Sequence, residues 1–154
     1  MRSGRAKKRE AKSDPVYKSR PIARTINKVM MGGNKKTAES IVYKALEKLS
    51  GDQKEATAMF EGAIKNLMPQ QEVRSRRVGG ATYQIPYPVK HERSEALAIR
   101  WLVDAARKRE GSPMEDRLFE EIKNAKEGIG DAMKFKTDVH KMAESNKAFA
   151  HFRF

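Results

Sequence analysis

The sequence contains no cysteine. That excludes disulfides and thiolate metal sites, and it fits a reducing compartment. No apolar run approaches the roughly 20 residues that a membrane-spanning helix needs. The N-terminus lacks the apolar stretch of a secretory signal. Its Arg- and Lys-rich opening has two serines before Asp14 and no amphipathic pattern, so it reads as a mature arm and not as an organellar transit peptide. Histidine is scarce. His91, His140 and His151 lie far apart, and none stands in a zinc-ligand spacing. His91 beside Glu92 reads as an exposed linker pair. Ser75 and Ser94 lack the G-x-S-x-G setting of an activated nucleophile. Gly32-Gly33 followed by Lys35-Lys36 falls short of a phosphate loop, because the G-x-x-x-x-G-K-S/T spacing is missing and a helix precedes it. No catalytic residue, metal or cofactor is expected, and the chemistry that is left is binding.

Acidic residues are also in short supply. Lys and Arg number 33 against 20 Asp and Glu, a formal charge of +13. The excess is uneven: residues 1–36 hold 12 basic and 2 acidic side chains, residues 37–154 hold 21 and 18. A basic arm therefore precedes a nearly balanced body. Such an imbalance points to a polyanionic partner, nucleic acid ahead of membrane. A length of 154 residues suits one domain with one core. Residues 1–20 show no apolar periodicity and repel themselves, which predicts an arm disordered until a partner neutralises it. The arm carries Arg2, Arg5, Lys7, Lys8, Arg9, Lys12, Lys18 and Arg20. A passive solubilising tail is the plainer alternative.

Apolar spacing beyond the arm is helical. Pro21 suits a first helical position, and Ile22, Ile26, Val29 and Met30 predict a short helix from Pro21 to Met31. Gly32-Gly33 ends it, and Asn34 is placed to cap the next. Ala38, Ile41, Val42, Ala45, Leu46 and Leu49 form one continuous stripe. A third helix over 53–67 repeats the pattern with Ala56, Met59, Phe60, Ala63, Ile64 and Leu67, and Pro69 stops it. The pair predicts an antiparallel helical hairpin. Later come a helix capped by Ser94 and running to about Arg109, another started by Ser112-Pro113-Met114-Glu115, and a sixth over 132–145. Their predicted buried faces are Ala98, Trp101, Leu102 and Ala105; Leu118, Phe119, Ile122 and Ala125; and Ala132, Phe135, Val139 and Met142. Trp101 is assigned to the core by its spacing. Lys35 and Lys36 beside a helix N-terminus form a general phosphate-contact device, with a solvated turn as the alternative.

Between the third and fourth helices runs Glu72 to Val89, with Gly79-Gly80 as a two-residue turn of type I′ or II′. That turn sets Val78 against Ala81, Arg77 against Thr82, Arg76 against Tyr83, Ser75 against Gln84 and Arg74 against Ile85. One face then carries Arg74, Arg76, Tyr83 and Ile85, the other Ser75, Arg77, Thr82 and Gln84. Neither face looks apolar enough to be a core face, so the hairpin is predicted to be an arm of about 20 Å touching something anionic. Tyr83, with no core to join, is predicted to stack on a base or sugar. Lys90 and Arg93 flank the exit of the arm. Phe149, Phe152 and Phe154 either pack back on the helices or dock on a partner.

The predicted fold is mainly α: a six-helix bundle-like domain with a protruding two-stranded antiparallel β-hairpin arm and a disordered basic N-terminal arm. Residues 1–20 form the arm, 21–145 one helical domain with the hairpin at 72–89, and 146–154 an aromatic and basic tail. The arrangement suits shape-based contact to folded RNA. An architectural DNA binder whose β-arm enters a minor groove is the second reading. An enzyme is the third, and finds no constellation of residues.

Several segments carry a resemblance. Glu72-Val73-Arg74-Ser75-Arg76-Arg77-Val78-Gly79-Gly80-Ala81-Thr82-Tyr83-Gln84-Ile85-Pro86 resembles the arm of the bacterial small-subunit ribosomal protein S-seven family. Asp14-Pro15-Val16-Tyr17, the run from Thr37 to Tyr43, Ala96 to Trp101 and Met142 to His151 are similar to the same family in the same order. The sequence departs from the family at Gly33-Asn34-Lys35-Lys36, at Arg93-Ser94, at the thinned lysines Lys134 and Lys136 around Phe135, and at Phe154. The resemblance implies a structural constituent of the small ribosomal subunit that binds 16S-type rRNA early and nucleates folding of the head. It implies neighbours among head and platform proteins, and a hairpin near the mRNA exit and the exit-site tRNA. It implies a cytoplasmic ribosome, bacterial or plastid in type, and no membrane partner. Under it, Arg74, Arg76, Arg77 and the basic arm are RNA contacts. Lys35, Lys36, Tyr83, Lys90, Arg93, Lys134 and Lys136 complete the candidate set.

Overall fold

Alanine, leucine and isoleucine recur at three- and four-residue spacing, and the chain is helical where they do. The computed structural model describes residue 4 and residues 12–152. The candidates Arg2, Arg5, Lys7, Lys8 and Arg9, and the terminal Phe154, lie outside the described residues. Among the described residues there are six α-helices: α1 (Arg20–Val29), α2 (Lys35–Leu49), α3 (Gln53–Leu67), α4 (His91–Lys108), α5 (Met114–Glu127) and α6 (Asp131–Ser145). Strands β1 (Gln71–Val78) and β2 (Ala81–Pro88) separate α3 from α4, and a 3-10 segment, Lys147–Phe152, follows α6.

The core lies among α1 to α5. Phe60, Ile22, Ile26, Leu46, Leu102, Leu118 and Ile122 are fully or almost fully buried. Helix α5 packs against α2, α3 and α4, while α1 packs against α2 and α4. The predicted stripes of α2 and α3 are the buried ones: Ala38, Val42, Ala45 and Leu46 on one, Ala56, Phe60, Ala63, Ile64 and Leu67 on the other.

The hairpin pairs in the expected register, from Val78 opposite Ala81 to Arg74 opposite Ile85. Gly79 and Gly80 have φ of 58° and 90°, the two left-handed residues of a type I′ turn. Its burial differs from expectation. Ile85 is fully buried, Glu72 is nearly so, and Arg76, Tyr83 and Tyr87 are half-buried. These residues share one face. On the opposite face Ser75, Arg77, Thr82 and Gln84 are exposed toward the tip, while Val73 is half-buried and Pro86 buried at the base. The arm therefore does have a packed face. Helix α6 lies against β1, and the C-terminal 3-10 segment lies against β2. Sequence pattern does not reveal this, because the covering surface comes from residues some seventy positions away.

Other local expectations give way to tertiary contacts. Asn34 stands at the cap position of α2 but makes no side-chain capping bond. Ser94 does not cap α4, which begins at His91; it lies inside the helix, buried, and its hydroxyl donates to the Pro69 carbonyl at 2.8 Å. Ser112 does not cap α5 either, since its carbonyl accepts from Arg117 Nε and Pro113 takes the cap position. On α6 the buried residues are Ala132 and Ala143, and Met142 is 49% exposed. Trp101 and Phe119 are half-buried, not central.

The ordered body also begins before the predicted boundary at residue 20. Asp14 is buried. Its Oδ2 accepts the N–H groups of Val16 and Tyr17 at 3.0 and 2.9 Å, and its Oδ1 accepts the Tyr43 hydroxyl at 2.8 Å. Burial and that hydrogen bond to Asp14 push the Tyr43 hydroxyl pKa well up, so it stays a donor. The Ser19 hydroxyl donates to Glu61 at 2.7 Å. The turn over 14–19 is thereby fastened to α2 and α3.

Candidate nucleic-acid interface

The base of the arm holds a small ion cluster. Glu72 on β1 accepts from Arg74 Nε at 2.7 Å and from Arg74 Nη2, both on Oε1. Its Oε2 accepts from Arg93 Nε of α4 at 3.3 Å. Burial alone would raise the Glu72 carboxyl, but the two guanidiniums outweigh it and hold it below the usual carboxylate range. The side chains differ sharply in exposure: 11% for Glu72, 60% for Arg74 and 50% for Arg93. The Arg74 guanidinium also lies 5.3 Å from the centroid of the Tyr87 ring. Lys90, at the start of α4, is exposed, and its carbonyl accepts the Arg93 N–H at 3.0 Å. Two of the candidates, Arg74 and Arg93, are thus brought together on Glu72 where the hairpin meets α4, and Lys90 is exposed at the start of that helix.

Halfway along the arm, Arg76 and Tyr83 are cross-strand partners. The Tyr83 ring lies 5.1 Å from Phe149 and 5.4 Å from Phe152. Arg76 Nη1 donates to the Phe152 carbonyl at 3.1 Å. Tyr83, expected to be without a core, has intramolecular aromatic partners, and Phe149 and Phe152, expected to pack on the helices or dock on a partner, pack on the arm instead. Arg77 points the other way: it is exposed, on the face with Ser75 and Gln84, whose side chains bond each other across the strands at 3.0 Å.

The remaining candidates are dispersed. Lys12, Lys18 and Arg20 are exposed along the segment leading into α1. Lys35 and Lys36 are exposed at the start of α2, where Lys35 pairs with Glu39 at 3.4 Å. Lys134 is exposed on α6, while Lys136 is half-buried and donates to the Asn66 carbonyl at the end of α3. Lys136 therefore has a structural task of its own. Beside it, His140 Nε2 accepts the Gln70 N–H at 3.1 Å, tying α6 to the entry of the arm. Burial, then the charge of Lys136, lowers the His140 pKa and keeps the ring a neutral acceptor.

One residue of this surface escapes sequence reasoning. Glu72 reads there only as the start of a strand, because nothing in a sequence shows that Arg93 returns to it.

The site is built to bind. Guanidiniums and ammoniums offer donors to phosphate oxygens, and Arg adds planar, forked geometry. Among the described residues no three His, Asp or Glu side chains gather to hold a metal ion. Among them, too, no helix is long and apolar enough to cross a membrane.

Comparison with known proteins gives a consistent result. Residues 1–147 match the family described as Ribosomal protein S7p/S5e. The small ribosomal subunit protein uS7 of Pelagibacter ubique is 56% identical over 142 residues, covering 92% of this chain and 91% of the relative. The uS7 proteins of Pelotomaculum thermopropionicum and Francisella tularensis are each 51% identical, with 99% of both chains covered.

Proposed function

We propose, from the premise that this chain belongs to the ribosomal protein S7p/S5e family, that it is a primary rRNA-binding protein which nucleates folding of the small-subunit head. At the coarser level it is a bacterial-type constituent of the small ribosomal subunit, a structural component and not an enzyme. Its partners there are ribosomal RNA and other ribosomal components. The finer reading puts the arm near the mRNA exit and the exit-site tRNA, with head and platform proteins as neighbours.

The observation that carries this reading is the two-sided arm. One face is fastened to the C-terminal 3-10 segment, α6 packs against β1, and toward the tip the other face presents Arg77, Ser75, Thr82 and Gln84 to solvent. A hairpin alone is marginal in water. Fastened along one face, it becomes a rigid polar and basic probe. Such a probe suits RNA, where phosphates, hydroxyls and splayed bases carry recognition. Arg74, Lys90 and Arg93 at its base, together with Lys35, Lys36 and the N-terminal cations, supply the phosphate contacts of the primary anchor.

The test is crosslinking in intact cells, followed by sequencing of the attached nucleic acid. Reads concentrated in the head region of small-subunit rRNA are expected. Reads spread over other rRNA regions would sink the primary-binding role, and recovery of chromosomal DNA would favour the architectural DNA binder.

A further inference from the structure

We propose that Glu72 is a positioning residue that assembles Arg74 and Arg93 into a single site for one RNA phosphodiester. The inference rests on the rRNA-binding reading and assigns a role to an acidic residue inside a basic surface.

Arg74 is on β1 and Arg93 is 19 positions later on α4. Long exposed arginines of that kind sample many rotamers, and each loses side-chain entropy when a ligand fixes it. Here both are fixed already, one on each oxygen of the same carboxylate. Arg74 commits Nε and Nη2 to Glu72, which leaves Nη1 to donate elsewhere. Arg93 commits Nε alone, which leaves both terminal nitrogens. The carboxylate is buried and the guanidiniums are half exposed or more. An incoming anion therefore meets donors and not the acid. With Lys90 at the same end of α4, the group keeps a net charge of +2 after Glu72 is counted. A phosphodiester oxygen takes charge-assisted hydrogen bonds from such donors, and prior fixing lowers the cost of making them.

Opposite outcomes separate this from the plain electrostatic expectation. A carboxylate near RNA ordinarily repels it, so neutralising one should tighten binding. If Glu72 positions the arginines, neutralising it loosens them and weakens binding. The experiment uses the full chain and a transcript of the head domain of small-subunit rRNA. Kd is measured between about 50 and 200 mM salt, a range over which phosphate contacts register.

Glu72→Gln should raise Kd by about fivefold or more, within the range of coupled neighbours. Arg74→Ala with Arg93→Ala should raise it too. Adding Glu72→Gln to that pair should change nothing further, or tighten binding slightly. Arg93→Lys keeps the charge and leaves Glu72 in place, so it tests the site without endangering the fold. It should weaken binding while leaving the salt slope intact, because the fork is lost and the charge is not. Unchanged or tighter binding by Glu72→Gln would overturn the inference, as would full binding by Arg93→Lys. An equal loss from Glu72→Gln with and without the two arginines would also overturn it, since the effect would then be general. Failure of the unaltered protein to bind the transcript would overturn the functional reading itself, and this inference with it.

Discussion

The rings of Tyr83 and Phe149 lie 5.1 Å apart at an interplanar angle of 51°, joining the β-arm to the C-terminal 3-10 segment. Phe152 stands on the same ring at 5.4 Å. The pairing adds an attachment halfway along a hairpin whose base is already held by buried Ile85 and the Glu72–Arg93 pair. Its 5.1 Å separation lies within the range at which aromatic pairs attract.

Phe149→Ala should therefore loosen the arm without disturbing the helices. The expected cost is about 0.5–1.5 kcal/mol, the worth of an aromatic pair. Amide exchange in Ala81 to Ile85 should accelerate while that of α3 stays slow. Unchanged exchange in β2 would show that the 3-10 segment does not hold the arm.

Phe60→Ala should destabilise the fold by ~3–5 kcal/mol, since Phe60 is the largest fully buried side chain. Trp101→Ala and Phe119→Ala, which spacing alone would rank beside it, should cost less because both are half-buried. Denaturant midpoints at unchanged slope would measure this. Equal losses at all three positions would contradict the burial.

The burial of His140 beside Lys136 gives a pH dependence. Its folded pKa is lowered, so the unfolded chain binds the proton more readily. The stabilisation is fully present above the unfolded value of about 6.5 and is lost as pH falls below it toward the lower folded value. Protonation also removes the acceptor used by the Gln70 N–H. An NMR titration should place His140 below ~6.5, and Gln70 amide exchange should quicken as the ring charges. A midpoint at or above the free value would contradict the burial of the ring beside Lys136.

Two truncations should behave differently. Removing residues 1–11 takes away Arg2, Arg5, Lys7, Lys8 and Arg9. The log–log salt slope of rRNA binding should then shrink by roughly 0.7–0.9 for each phosphate no longer neutralised, with helical signal unchanged. Extending the deletion through residue 20 also removes the Asp14 and Ser19 bonds to Tyr43 and Glu61. That version should melt earlier. Identical melting of both would mean that the 14–19 turn contributes nothing.

Excision of Ser75 to Gln84 under a short new turn retains buried Ile85 and the Glu72 cluster. Subunits reconstituted with it should assemble a head yet handle exit-site tRNA poorly, read by tRNA retention and frame maintenance. Failed assembly with normal tRNA behaviour would reverse the proposed division between anchor and arm.

Local chemistry is enough for much of this protein. Apolar periodicity places the stripes of α2 and α3, because a helix repeats every 3.6 residues wherever it sits. Gly79-Gly80 sets the hairpin register, because a two-residue type I′ turn admits only one. The basic opening points to a polyanionic partner without reference to any fold.

Serines at apparent caps mislead because a cap depends on where the helix starts, and Ser94 instead bonds Pro69. The packed face of the arm, the partner of Tyr83 and the anchoring of Asp14 are decided by tertiary structure alone. Each joins residues tens of positions apart, a distance at which sequence pattern carries no signal. The Glu72 cluster has the same origin. One carboxylate beside one arginine in β1 is ordinary, and it becomes a three-residue ion cluster only where α4 folds back and brings Arg93 to its second oxygen.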